Sequence, residues 1–282
     1  MRQLTSLPIR LALPLVLGVN LLGAYEPTFT TITVPGATAT FASGINAAGQ
    51  IVGGFTDPSG MDHGFLLDDG TFTTIDFPGA VATGAFGINA AGRIVGIYVD
   101  ASGATHGFLL DQDTFSTIDH PGSALTEAFG INARGDIVGR YHDASGTVHG
   151  FVLSDGTFTT VDPPGAGYAQ ATGINAQGQI VGGFEPPGHH GFTFDNGLFA
   201  VLDVPGALAT DALGIDAAGR IVGRYLDTGS VFHGFLVDKG QFVTIDPPGS
   251  TFTEAIGINA AGQIVGDYVD ASGTLHGFLF TP

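Results

Sequence analysis

A word of the form G-I-[N/D]-A-x-G begins at Gly44, Gly87, Gly130, Gly173, Gly214 and Gly257, at intervals of 43, 43, 43, 41 and 43 residues. A second word, H-G-F, falls at His63, His106, His149, His190, His233 and His276. A third, F-x-x-[I/V/L]-D-x-P-G, begins at Phe72, Phe115, Phe158, Phe199 and Phe242. A period of this length, sustained along a chain, belongs to solenoids, propellers and similar arrays. In these, one supersecondary unit cannot bury its own apolar surface and leans on the next copy.

Each unit reads as four short strands, a to d, with no helical periodicity. Strand a runs into the G-I-N word, as in Thr83 to Asn89, and an Asn-Ala-Ala-Gly turn follows. Strand b is I-V-G-x-Y, a D-A-S-G turn leads to strand c, H-G-F-L-L, and strand d is T-F-T-T-I-D, broken by Pro-Gly. Strands b and c carry apolar or small residues on both faces, as expected of a sheet covered on both sides. Radially stacked four-stranded blades have that property. Residues 29–36 form a lone strand d, and the unit that opens at Gly257 supplies only a, b and c. The two partial units add to one, so the reading is an all-β, six-bladed β-propeller in which residues 29–34 close the last blade. A β-solenoid is the alternative, although it has no reason to balance its ends and usually carries atypical caps.

These words resemble the HAF-type extracellular repeat of bacterial exported proteins, whose pattern pairs G-I-N-x-x-G-x-[I/V]-V-G with H-A-F-L. Here Gly64, Gly107, Gly150, Gly191, Gly234 and Gly277 stand where that pattern has alanine. The resemblance spans nearly all of residues 29–282 and implies an exported repeat domain. It implies no particular reaction, ligand or catalytic residue. The first 24 residues fit this picture: Arg2 and Arg10 precede an apolar run from Leu11 to Ala24, which reads as a secretory signal peptide. That run is short for a membrane span, and no second one follows. The expectation is a single domain over residues 25–282, secreted or periplasmic, monomeric, with no integral membrane segment left after processing.

Charge narrows the partners. Twenty-six acidic residues against eight basic give a formal charge of −18, and loss of Arg2 and Arg10 with the leader takes it to −20. Such a surface repels nucleic-acid phosphates and anionic lipid. With no cysteine in the chain, disulfides, thiolate metal sites and cysteine nucleophiles are excluded.

Two sets of residues invite chemistry. In five units an Asp follows the repeated His by 13 positions: His63–Asp76, His106–Asp119, His149–Asp162, His190–Asp203 and His233–Asp246. If Leu67 faces Phe72 across the c–d turn, the register sets His63 opposite Asp76 and His276 opposite Thr33. Near-identical repetition serves a fold better than a reaction, so these pairs read as buried braces locking each hairpin. The second set breaks the repeat: His120, Arg140, His142, Tyr168, Arg224, and the shortened fourth b–c loop with Glu185 and His189. These are the candidate ligand contacts on the b–c and d–a loop face. The D-x-x-G turns at Asp57, Asp100, Asp143, Asp227 and Asp270 suggest calcium only weakly, because the dense D-x-D-x-D spacing is missing. No other cofactor is implied, and no nucleophile elbow, H-E-x-x-H pair or phosphate loop occurs. The resulting expectation is a binding or interaction module for an extracellular ligand or protein. The alternatives are a hydrolase or lyase acting on extracellular polysaccharide or peptide from the same face, and a structural envelope or matrix component.

Overall fold

The computed structural model describes residues 27–185 and 188–282; the expected signal peptide lies outside them. Among the described residues there are twenty-four strands and no helix. Blade two is typical: strand a Ala82–Ile88, b Ile94–Val99, c Thr105–Asp111 and d Thr114–Ile118, paired antiparallel in that order. The expected six-bladed propeller is the observed architecture. Blade six is a composite, with a, b and c from Phe252–Ile258, Ile264–Val269 and Leu275–Thr281, and d from Thr28–Ile32 at the other end of the chain. The pairing of Phe29 with Phe280 and Ile32 with Gly277 closes the ring.

The glycine words make blades dense. In every blade strand a carries a bulge, so that two of its residues oppose one glycine of strand b; in blade two the register shifts between Ala85 and Gly87, opposite Gly96 and Val95. A side chain on Gly96 would overlap the Gly84 carbonyl and the ring of Phe108, which lies on it from strand c. The equivalent rings Phe65, Phe108, Phe151, Phe192, Phe235 and Phe278 are all at most 1% exposed. Each fully buried ring contributes on the order of 1.5–3 kcal/mol. The V-G of strand b and the G-F of strand c are thus halves of one interlock.

A second glycine sets the distance between blades. In the G-I-N words, a Cβ on Gly44 would lie 2.7 Å from the Phe86 carbonyl oxygen, one on Gly87 2.7 Å from that of Phe129, and one on Gly257 2.8 Å from that of Ser43. The innermost strands therefore touch backbone to backbone around the axis. Just below, Asn46 Nδ2 donates to the Asn89 carbonyl (3.2 Å), Asn89 to Asn132 (3.1 Å), Asn132 to Asn175 (3.2 Å) and Asn175 to Asp216 (3.0 Å). Asp216 has no amide to pass on; Arg220, held by Asp216, donates instead to the Asn259 carbonyl (3.2 Å), and Asn259 returns to Asn46 (3.1 Å). Each Asn also caps its own turn, as Asn89 Oδ1 does for the backbone N–H groups of Ala91 and Arg93. The turn chemistry was readable in advance, but the ring of hydrogen bonds it serves was not.

Two substitutions on one strand separate this contact from glycine in general. Gly87→Ala is expected to lower unfolding free energy by about 1–3 kcal/mol, the usual range for overpacking. Gly84→Ala, whose Cβ would meet its nearest neighbour at an ordinary 3.5 Å, leaves it nearly unchanged. Equal losses in denaturant titrations of the two variants would remove the close-approach argument.

Candidate functional site

Strand a of every blade faces the axis with alternate residues, which stack as three rings. Ile45, Ile88, Ile131, Ile174, Ile215 and Ile258 form a floor above the Asn turns. The middle ring is Ser43, Phe86, Phe129, Thr172, Leu213 and Ile256. The upper ring, toward the b–c and d–a loops, is Phe41, Gly84, Glu127, Gln170, Asp211 and Glu254. Between them lies an axial cavity of about 440 Å³, within the range of small-molecule sites.

The upper ring is lopsided. In blades one and two the a–b pairs are Phe41–Gly54 and Gly84–Ile97, which are apolar. From blade three onward they are Glu127–Arg140, Gln170–Gly183, Asp211–Arg224 and Glu254–Asp267. These groups form two hydrogen-bonded networks, which approach each other where the Tyr168 and His189 rings stand 6.3 Å apart. Arg140 pairs with Glu127 and donates to Tyr168 Oη (3.1 Å) and Gln170 Oε1 (3.4 Å) of the next blade, while the Tyr168 hydroxyl also donates to Gln170 (3.0 Å). His189 Nδ1 meets Glu185 at 2.6 Å, and its Nε2 is bonded to Asp211. Arg224 Nε donates to the second oxygen of Asp211 (2.8 Å) and Nη1 pairs with Glu254 of blade six. Gly183 leaves the room for this, since a Cβ there would stand 2.6 Å from Asp211 Oδ1.

Flanked by two carboxylates, His189 is held as an imidazolium, its pKa pushed up to about 9 chiefly by the Asp211 bond. Burial works against the charge on Asp211, but His189 and Arg224 outweigh it and keep the carboxyl below its ordinary value. Burial raises Glu254 despite Arg224. Asp267 is 7% exposed, no hydrogen bond reaches its carboxyl from the described residues, and burial together with neighbouring Glu254 pushes its pKa well up against the pull of Arg224. It lines the cavity.

Of the repeat-breaking residues, Arg140, Tyr168, Glu185, His189 and Arg224 thus fall in two adjacent networks that bond to the upper ring. His120 and His142 do not join it. His120 stacks on Tyr141 (centroids 3.7 Å, planes 5° apart), as Phe77 stacks on Tyr98 in the preceding blade. Its Nδ1 is buried without a partner, and burial lowers its pKa. It fills an inter-blade apolar position. His142 ends its strand opposite Leu125 and Val148. The acidic and amide members Glu127, Gln170, Asp211, Glu254 and Asp267 escaped the sequence reading, as did Phe41, Phe86 and Phe129. The missed signal was columnar: four polar residues at one place in strand a, where the first two units have Phe and Gly.

The His–Asp pairs lie farther out, in the c–d hairpins. Leu67 faces Phe72, and His63 Nδ1 meets Asp76 at 2.9 Å. The matching distances are 2.9 Å for His106–Asp119, 2.6 Å for His149–Asp162, 2.8 Å for His190–Asp203 and 2.6 Å for His233–Asp246; His276 reaches Thr33 at 3.4 Å. The rings are not fully buried as expected, but 19–30% exposed. The pair lies at the solvent edge of the hairpin, where the partner carboxylates are themselves 25–53% exposed, and a third partner stands at the b–c turn. There Nε2 of His63, His106, His149, His233 and His276 stands 3.1–3.6 Å from Asp57, Asp100, Asp143, Asp227 and Asp270. Stacking on strand b, as of His106 on Tyr98 (5.0 Å), completes the clamp. The Asp76 bond raises His63; on His106, His149 and His233 burial opposes the charge, but the paired carboxylates outweigh it. The turn carboxylates are occupied: Asp57 Oδ1 accepts from the Ser59 hydroxyl and the backbone N–H groups of Ser59 and Met61, which lowers its pKa to about 2. Among the described residues no group of three or more His, Cys, Asp or Glu is placed to hold a metal.

No model of a known family matches the chain, and no curated protein sequence does. Solved structures do. The six-bladed fungal lectin from Aleuria aurantia is 14% identical, with a TM-score of 0.53 over 86% of this chain and 91% of that one. The β-propeller domain of the Trilobed protease from Pyrococcus furiosus is 10% identical, with a TM-score of 0.55 over 86% and 95%. TolB from Acinetobacter baumannii is 12% identical, with a TM-score of 0.58 over 87% and 64%. At these identities the likeness shows the fold.

Two titrations follow from the charges. A base raised in the folded state stabilises fully below its unfolded pKa and loses that contribution as pH rises through the folded value. His189 therefore contributes up to about pH 6.5 and ceases to do so as pH passes about 9, and His189→Gln is expected to flatten the decline in melting temperature across that window. A carboxyl raised by folding has the same sign: Asp267 lowers stability increasingly as pH climbs above its ordinary 3.8. Asp267→Asn is expected to raise the melting temperature at neutral pH and to lose the advantage in acid. An unchanged or lowered melting temperature at neutral pH would show that Asp267 is not held against its charge.

Proposed function

We propose that this protein is an exported binding module, and that its ligand enters the axial cavity from the b–c and d–a loop face. One observation carries the reading. The upper ring and its strand-b partners are where the sixfold pattern is abandoned: Gln170, Glu254 and Asp267 reach the cavity wall, and behind them two polar networks stand opposite an apolar side. A wall selected only for packing would keep the repeat, as the interlocked glycines and phenylalanines do. Export is supported by the leader-like N-terminus and the resemblance to exported repeats.

Because the Aleuria lectin is fucose-specific, fucosides belong in any ligand panel. A second reading, hydrolysis, has one specific support: a buried carboxyl, its pKa pushed well up, beside a second carboxyl is the pairing that general acid–base chemistry uses. Turnover of any polymer that disappears in Asp267→Asn would favour it.

Ligand-observed NMR with a mixed panel of fragments, glycosides and amines tests the main reading. Ser43→Phe places in blade one the ring that Phe86 and Phe129 already place in blades two and three, so the backbone accepts it while the cavity shrinks. Hits are expected to vanish in Ser43→Phe and to persist in His106→Gln, which alters an outer clamp. Hits indifferent to Ser43→Phe would move the site elsewhere.

A further inference from the structure

The charges at the mouth do not balance. Glu127, Glu185, Asp211, Glu254 and Asp267 face Arg140, His189 and Arg224, five carboxyls against three cations. The imbalance is local. Glu127 has Arg140, Glu185 and Asp211 share His189, and Asp211 and Glu254 share Arg224. The Asp267 carboxyl alone has no hydrogen bond or ion pair among the described residues and feels Arg224 only through its charge, though its strand position equals that of Arg140 and Arg224, and though it is more than nine-tenths buried and turned to the cavity. Phe41 of the adjoining blade one, with Phe86 and Phe129 of blades two and three, also lines the cavity; the last two meet edge to face at 5.7 Å, and Phe129 carries the Arg140 guanidinium over its ring. Aromatic faces attract cations and repel anions, and a buried carboxyl without a donor is satisfied best by a charged one.

Taking the axial cavity as the binding site, we infer that its ligand is a small organic ammonium compound. The nitrogen sits against Asp267 and Glu254, and the apolar body lies against the phenylalanine arc. An anionic ligand would bring a further negative group against Asp267 and Glu254. A neutral polyol could donate to Asp267 but would leave the charge deficit and the apolar arc unmatched.

Three probes of one shape decide the class: 2-phenylethylammonium, 2-phenylethanol and 3-phenylpropanoate, titrated calorimetrically near neutral pH into the whole protein. The ammonium is expected to bind at least about tenfold more tightly than the alcohol, the increment of one charge-assisted hydrogen bond, and the carboxylate not to bind. Because the ammonium requires an ionised Asp267, its binding releases protons, so the measured heat changes with the ionisation enthalpy of the buffer; the alcohol shows no such dependence. Asp267→Asn keeps the shape, removes the charge, and is expected to bring ammonium and alcohol within about threefold of each other and abolish proton release. Ser43→Phe abolishes binding of both. If the alcohol or the carboxylate binds as well as the ammonium and Ser43→Phe still blocks it, the ammonium inference is overturned while the axial site stands. Ammonium binding that survives Asp267→Asn also overturns it. Absence of binding by all three probes up to about 10 mM, a concentration at which even weak fragments register, overturns it and leaves the axial site to the broader panel. Binding untouched by Ser43→Phe overturns both.

Discussion

The structure depends on how closely six backbones approach one axis. Glycine at the head of each G-I-N word lets strand a of one blade rest against the carbonyl of the next, and the asparagine two residues on donates across the same seam. Neither contact is strong alone: a neutral hydrogen bond contributes roughly 0.5–1.5 kcal/mol net. Their force lies in closure. In an open array the last donor and the first carbonyl would be left for water, whereas here Asn259 donates to Asn46 across 213 residues of sequence. The single failure is repaired locally. Asp216 interrupts the amide ladder, and the Arg220 guanidinium, gripped by the same carboxylate, supplies the missing donor to blade six. The repair shows that the ladder is a requirement of the ring and not a by-product of turn chemistry.

Closure also explains why so much of the architecture could be read in advance. Six copies of each strand word, with a lone strand d at one end and a unit lacking it at the other, leave few ways to bury both faces of every sheet. The pairing of residues 28–32 with 277–281 realises that count. The c–d register followed from one hairpin pair and carried His63 to Asp76 and His276 to Thr33. What stayed hidden came from contacts between units. Asp57 and Asp76 are 19 residues apart and approach His63 from opposite sides, and a single-strand pattern shows only one of them. The same holds at the mouth: Arg140 announces itself as an oddity, but Gln170, with which it bonds, reads as an ordinary strand residue until neighbouring blades are superimposed.

A repeat ring divides its positions into those the fold uses six times and those it does not use. The interlocked glycine and phenylalanine, the seam glycine, the turn asparagine and the clamped histidine belong to the first kind, and they barely vary. The upper ring of strand a and its partner on strand b belong to the second. Their side chains project into the axial space, where they touch no conserved neighbour and can change without breaking a seam. Blades one and two fill these places with Phe, Gly and Ile, and blades three to six with Glu, Arg, Gln, Asp and Asp267. Variation confined to places free of structural duty is what a site grafted onto a scaffold produces.

The energetics of that arc argue in the same direction. Desolvated ion pairs are weak sources of stability, and an unpartnered buried carboxyl is a net loss. Leucine or isoleucine at position 267, as at Ile97 in blade two, would pack the same space without it. The chain instead keeps Asp267 beside Glu254, adds Arg224 and His189 around Asp211, and shortens the fourth b–c loop so that His189 reaches inward. Stability surrendered at one place in an otherwise economical ring is characteristic of sites tuned for something other than folding. In this ring the surrendered stability sits at the axis, on the open side, against a wall that does not repeat.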